Sequence, residues 1–129
     1  MSADSQELKD WSKELGTHLI VELYGAKNLF LPDPSIPILR QAAIDCGAEI
    51  LDDMFHDFGD RYGFTGVIIL SESHISIHTW PEHDYAAIDI FLCGGLDPEK
   101  ALPALQAYFE PERIVKKSIA RGINPKLKS

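Results

Sequence analysis

The stretch Leu70-Ser71-Glu72-Ser73-His74-Ile75-Ser76-Ile77-His78-Thr79-Trp80-Pro81-Glu82 decides how the rest of the chain is read. It sets a Glu-Ser peptide bond between two apolar runs and places His74 and His78 close behind Ser73 in the chain. Strand alternation sends Ser73, Ile75 and Ile77 to one face, and His74, Ser76 and His78 to the other. Just upstream, Phe64-Thr65-Gly66-Val67-Ile68-Ile69-Leu70 is a continuous apolar run, which predicts a central buried strand. Ser71-Glu72-Ser73 forms a tight turn into a strand over 74–80.

Working outward, Pro81-Glu82-His83-Asp84 is a turn and residues 85–92 form a further strand, closed by Cys93-Gly94-Gly95. Asp97 and Pro98 read as N-cap and first residue of a helix. Leu102, Leu105 and Phe109 share one of its faces, and Pro103 must sit near its start or kink it. Residues 113–120 are a last strand. Towards the N-terminus, residues 17–24 are rich in β-branched and apolar side chains and form the first strand, ended by Gly25. Ser35 is placed as N-cap of a helix over 36–46, with Pro37 in its first turn and Gly47 as the left-handed C′ residue. Residues 48–58 read as a strand whose middle, Asp52-Asp53, is ambiguous, and 59–63 as a loop. The order β-α-β-β-β-β-α-β predicts an α+β fold, a two-layer sandwich with a largely antiparallel sheet and two helices on one face. Residues 16–122 make a single domain. Residues 1–15 form an arm whose Leu8, Trp11 and Leu15 have the spacing of a short amphipathic helix or a loosely docked segment, and 123–129 are a polar tail.

The chain has 129 residues, enough for one modest core. A net charge of -8 disfavours nucleic acid and anionic membrane as partners and favours a small cationic substrate. No apolar run reaches the ~20 residues of a membrane span, and the first ten residues lack the features of a secretory signal. Cys46 and Cys93 are expected as thiols in a cytoplasmic protein. The five histidines show no spacing with carboxylates that supports a metal. On residue types alone, His18, His56 and His83 are structural or exposed.

A serine hydroxyl can attack the carbonyl of the residue before it if a turn strains that peptide bond. The amide then becomes an ester, and loss of the serine Cα proton expels the Glu72 carboxylate. The resulting dehydroalanine hydrolyses to a pyruvoyl group and ammonia. This chemistry needs the hydroxyl, donors for the oxyanion, and a base near neutrality such as histidine. By spacing alone the signal is weak, and Ser-x-Ser-His between two strands is usually just a hairpin with polar ends.

Ser71 to Glu82 resembles, almost letter for letter, the self-cleavage segment of the prokaryotic S-adenosylmethionine decarboxylase proenzymes, which depend on a pyruvoyl group. Gly16-x-His18-Leu19, Gly47-Ala48, Thr65-Gly66, Tyr85-Ala86-Ala87-Ile88-Asp89, Phe91-x-Cys93-Gly94, Asp97-Pro98 and Arg121-Gly122 also resemble family segments, in the family's order. The resemblance implies cleavage between Glu72 and Ser73, giving a β chain 1–72 and an α chain 73–129. Ser73 becomes the pyruvoyl group, which forms a Schiff base with the substrate and accepts electrons as CO2 leaves. It further implies that His78 takes the Cα proton in processing, Thr65 supports processing, and Cys93 returns a proton to the product. Glu82 binds the ribose hydroxyls and Phe58 packs on the adenine. The reaction implied is decarboxylation of S-adenosylmethionine for polyamine (spermidine) synthesis, by a homodimer of αβ units with sites near the interface.

Relatives commonly carry a proline in the loop before Thr65-Gly66. Gly59-Asp60-Arg61-Tyr62-Gly63 lacks it and is one residue longer than in some of them. That departure keeps arginine or ornithine open as substrates, with Asp53, Asp57 or Asp60 pairing with a distal cation. From a different class, a processing-dead homologue that regulates an active subunit is the remaining alternative.

Overall fold

The computed structural model describes residues 11–126. Among them, six strands form one antiparallel sheet in the order β2-β3-β4-β5-β1-β6. In chain order these are β1 (Gly16–Tyr24), α1 (Ile36–Asp45), β2 (Ile50–Asp57), β3 (Phe64–Leu70), β4 (Ser73–Trp80), β5 (Tyr85–Cys93), α2 (Leu102–Phe109) and β6 (Arg113–Arg121). This is the predicted element order. A short 3-10 turn over Pro98–Ala101 leads into α2, and Asp97 accepts the Glu99 N–H at 3.0 Å, as an N-cap should.

The core lies between the two helices and one face of the sheet. Leu19, Val21 and Leu23 of β1, Ile75 and Ile77 of β4, and Ile88, Ile90 and Leu92 of β5 point into it, as their period-two spacing demands. Leu39, Ala42 and Ala43 of α1 and Leu102, Leu105 and Phe109 of α2 cover them. Full burial of each such Leu, Ile or Phe contributes roughly 1.5–3 kcal/mol.

Two expectations are corrected, and one pair of alternatives is resolved. The apolar run of β3 is buried on one face only: Phe64, Ile68 and Leu70 are inside, while Ile69 is exposed, because both helices lie on the same side. Ser35 does not cap α1 with its side chain. Its backbone is helical, and its hydroxyl is buried without a hydrogen-bond partner. Of the two readings of the arm, residues 11–15 follow the docked one and not the helix: the Trp11 indole N–H donates to the Gly122 carbonyl at 2.7 Å, and Asn124 Nδ2 donates to the Trp11 carbonyl at 3.0 Å. Leu8, also assigned to that expected helix, lies outside the described residues.

The loop from β2 to β3 excludes proline at two of its positions. Asp60 and Arg61 have φ of 47° and 63°, angles that the proline ring cannot reach. The Arg61 guanidinium lies 4.0 Å over the Phe30 ring.

Gly66 faces the core opposite Phe55 across the β2–β3 ladder, and a Cβ there would lie 2.3 Å from the Phe55 ring. Gly66→Ala should therefore lower the unfolding free energy by about 1–3 kcal/mol in urea denaturation, the usual cost of overpacking.

Candidate active site

The Glu72-Ser73 peptide bond is clamped from two sides. On one side, the Ser71 N–H donates to the Glu49 carbonyl at 2.9 Å, the Ser71 hydroxyl to Glu49 Oε1 at 2.5 Å, and the Glu49 N–H to Glu72 Oε1 at 3.0 Å. On the other, the Cys93 N–H donates to the Glu72 carbonyl oxygen at 2.9 Å. Ser73 itself pairs with Leu70 and Leu92 in the two flanking ladders. Between these restraints Ser73 has φ of 139°, a backbone angle costing a residue with a Cβ about 1–3 kcal/mol. The strain sits at the bond whose carbonyl the Ser73 hydroxyl would attack. The Cys93 N–H is already aimed at the oxygen that would gain charge.

Ser73, Glu72 and Cys93 thus meet at one end of β4 and β5. His78, Thr65, Phe58 and Glu82 gather at the other. Thr65 and His78 are direct partners in the β3–β4 ladder, and Thr65 Oγ1 is 2.7 Å from His78 Nδ1. The Thr65 hydroxyl also donates to the Ile77 carbonyl at 3.2 Å. Having one proton to give, it accepts from Nδ1–H, which leaves His78 Nε2 with the lone pair. Phe58, Tyr62, His78, Trp80 and Glu82 line a cleft of about 260 Å³. Phe58 and Tyr62 are 56% and 67% exposed there, so both have apolar surface to bury on a ligand or partner.

The structure therefore does not bring His78 to Ser73 within one chain. Five residues of strand separate them, roughly 16 Å at about 3.3 Å per residue. The left-handed turn at Ser73 changes where its hydroxyl points but not that distance.

His18, His74 and Asp89 join the Ser73 end, although the sequence reading left them without a role. All three lie on the sheet face that the helices leave open. His18 Nε2 is 3.0 Å from Asp89 Oδ1, and the Ser76 hydroxyl donates to Asp89 Oδ2 at 3.4 Å. The His74 ring meets Phe91 edge-on, 6.0 Å between centroids, and Arg121 stacks 4.7 Å over the same Phe91 ring. Burial holds the His74 pKa below its ordinary 6.5, with a smaller push from His18 and an opposing pull from Asp89. The signal that finds these residues is ladder register: Phe91 pairs with both His18 and His74.

Of the carboxylates proposed for a distal cation, Asp53 is committed to Arg40 at 2.6 Å. Asp57 Oδ1 accepts the Gly59 N–H in the turn. Burial, followed by Asp97 and Asp45, pushes the Cys46 thiol to about 11, so it stays protonated and inert at neutral pH.

The sequence model of the S-adenosylmethionine decarboxylase family matches residues 17–122. The chain is 47% identical over 114 residues to a protein of Methanococcus maripaludis strain C5 named S-adenosylmethionine decarboxylase proenzyme, covering 86% of this chain and 93% of that one. A Thermomicrobium roseum protein of the same name is 41% identical over 112 residues, covering 86% and 97%. Among solved structures, the adenosylmethionine decarboxylase from Aquifex aeolicus VF5 superposes with a TM-score of 0.79 at 32% identity, over 91% of this chain and 98% of that one.

The strain at residue 73 is measurable without any reaction. Ser73→Gly and Ser73→Ala both remove the hydroxyl, and only glycine accepts φ of 139° freely. The glycine variant should be more stable in urea by about 1–2 kcal/mol; equal stabilities would mean that the backbone is not strained there.

Proposed function

The chain belongs to the S-adenosylmethionine decarboxylase family, and we propose that it cuts itself between Glu72 and Ser73 and converts Ser73 into the pyruvoyl group it works with. The enzyme decarboxylates S-adenosylmethionine, releasing CO2 and the decarboxylated sulfonium amine used in polyamine synthesis. The observation that carries the self-cleavage reading is the strained Ser73 beside a Glu72 carbonyl already hydrogen-bonded by the Cys93 N–H. These residues fit the formation of a pyruvoyl group, which supplies an electron sink for the departing CO2.

The division of labour follows the two ends of β4. At one end, Ser73 attacks the Glu72 carbonyl while the Cys93 N–H stabilises the oxyanion. Cys93, at the end of β5, gives a proton back to the product carbon from its thiol. At the other end, Thr65 orients His78 so that Nε2 takes the Ser73 Cα proton. Phe58 packs against the adenine and Glu82 accepts hydrogen bonds from the ribose hydroxyls. The overall charge of -8 favours approach of the sulfonium cation.

His78 reaches Ser73 only from a second copy of the chain. We assign the open sheet face as the homodimer interface, with a two-fold axis that sets the His78 end of one copy against the Ser73 end of the other. That face carries a ladder of rings, Trp80 to Tyr85 at 5.4 Å and Tyr85 to Tyr24 at 5.3 Å, which a partner would bury. The reading places the dimer in the cytoplasm, where Cys46 and Cys93 remain outside any disulfide. No helix among the described residues is long and apolar enough to cross a membrane.

Denaturing mass spectrometry of the purified protein should give two chains, 1–72 and 73–129, the second short of ammonia and bearing a ketone. A single intact chain would sink the self-cleavage reading and favour a processing-dead homologue. Cys93→Ala should still split but decarboxylate poorly or inactivate within few turnovers; sustained normal turnover would refute the proton-donor role.

A shared site makes a separate prediction. Ser73→Ala and His78→Ala chains should each stay whole alone. Refolded together, they form mixed dimers with one complete site, so the His78→Ala chain should split. Absence of splitting in verified mixed dimers would show that each chain builds its own site.

A further inference from the structure

We propose that His74 is the base that takes the Ser73 hydroxyl proton as that oxygen attacks the Glu72 carbonyl, a task distinct from that of His78. The proposal rests on the self-cleavage reading above and adds a catalytic residue to its first step. In an ordinary strand, residues 73 and 74 would point to opposite faces. The φ of 139° at Ser73 breaks that rule, and Ser73 Oγ lies 3.5 Å from His74 Nδ1. That is long for a hydrogen bond but within the range of resting active sites that tighten on reaction.

The surroundings keep the imidazole available as a base. Phe91 lies edge-on to its ring. Burial, His18 and Arg121 all favour the uncharged ring, while Asp89 opposes them. Asp89 is itself engaged by His18 and Ser76, and the charged or titratable groups that act on His74 are His18 on β1, Asp89 on β5 and Arg121 on β6. His78 is unsuited to this step in its own chain, being roughly 16 Å away along β4, with Nδ1 occupied by Thr65.

The step balances within the chain. The proton passes from Ser73 Oγ to His74 Nδ1 as the bond from Oγ to the Glu72 carbonyl carbon forms. The Cys93 N–H holds the oxyanion. When the bond from that carbon to the Ser73 nitrogen breaks, His74 returns the proton to the nitrogen. The products are an ester and an amine, with no net gain or loss of protons. Removal of the Cα proton follows and falls to His78.

The two roles separate experimentally because hydroxylamine cleaves esters and leaves amides intact. His78→Ala should stop the chain at the ester, which hydroxylamine cuts into pieces ending at 72 and beginning at 73. Ester formation is timed from synthesis in a cell-free translation, for His78→Ala and for the double variant His74→Gln/His78→Ala. The double variant should form the ester roughly 100-fold more slowly, the contribution of a positioned general base. Equal rates would overturn the proposal. If the double variant fails to fold, the pH dependence of His78→Ala decides instead. Its rate should fall as pH drops through the range below the ordinary histidine value in which the ring protonates; a rate independent of pH throughout the acid range in which the protein stays folded would also overturn it. Wild-type protein that never splits would refute self-cleavage itself, whereas normal splitting with unchanged ester kinetics would refute only the role of His74.

Discussion

Strand β4 is hydrogen-bonded along both edges, to β3 and to β5, and the rest of the structure depends on that double pairing. Ile75 and Ile77 anchor it to the core, so its register cannot slip by one residue without exposing both. With the strand fixed, its first residue has little freedom. The turn at Ser71-Glu72, tied to Glu49, pulls from one side, and the ladder to Leu92 and Cys93 holds the other. Ser73 takes up the difference as a positive φ. The strain at the Glu72-Ser73 bond is thus a consequence of ordinary sheet pairing, and the interior sustains it because hydrophobic burial outweighs it many times over.

The same pairing arranges the chemistry. Neighbouring strands bring together residues distant in sequence: Thr65 to His78 across one ladder, Phe91 to His18 and His74 across two others. One sheet face is occupied by α1 and α2 and is purely structural. The other carries the His18–Asp89–Ser76 and Thr65–His78 hydrogen-bonded groups. A fold with helices on both faces would have buried His74, His78 and Asp89 without room for a substrate.

Much of this was legible in the sequence. Period-two alternation gave the strands, and the spacing of Leu102, Leu105 and Phe109 gave a helix face that the structure buries. Gly47 takes the left-handed angle expected of a C′ residue, φ 82°. The parts that were not legible share a cause, which is that local pattern says nothing about partners. The apolar run of β3 looked buried on both faces because its exposed side, Ile69 included, is apolar as well. Ser35 has the composition of a cap, yet its backbone is already helical, so its hydroxyl points elsewhere. His74 and His78 look equivalent in the sequence, and only register separates one beside Ser73 from one beside Thr65. The distance between Ser73 and His78 is implicit in any strand. What the sequence leaves open is whether pairing holds all the way between them, and the ladders to β3 and β5 run unbroken from Ser73 to His78.

The strand order carries one more consequence. A break after residue 72 would leave β1, β2 and β3 in one piece and β4, β5 and β6 in the other. In the sheet these pieces are interleaved: β1 sits between β5 and β6, while β3 borders β4. Separating them means dissolving three ladders and opening the core, so a nick there is mechanically silent in the folded state. Unfolding is another matter. An intact chain unfolds and refolds as one molecule, but the nicked protein unfolds into two that must find each other again, and its apparent stability then depends on protein concentration. The same cut that would leave the architecture undisturbed would change the molecularity of folding, so a nicked molecule, once unfolded, would recover only at sufficient concentration.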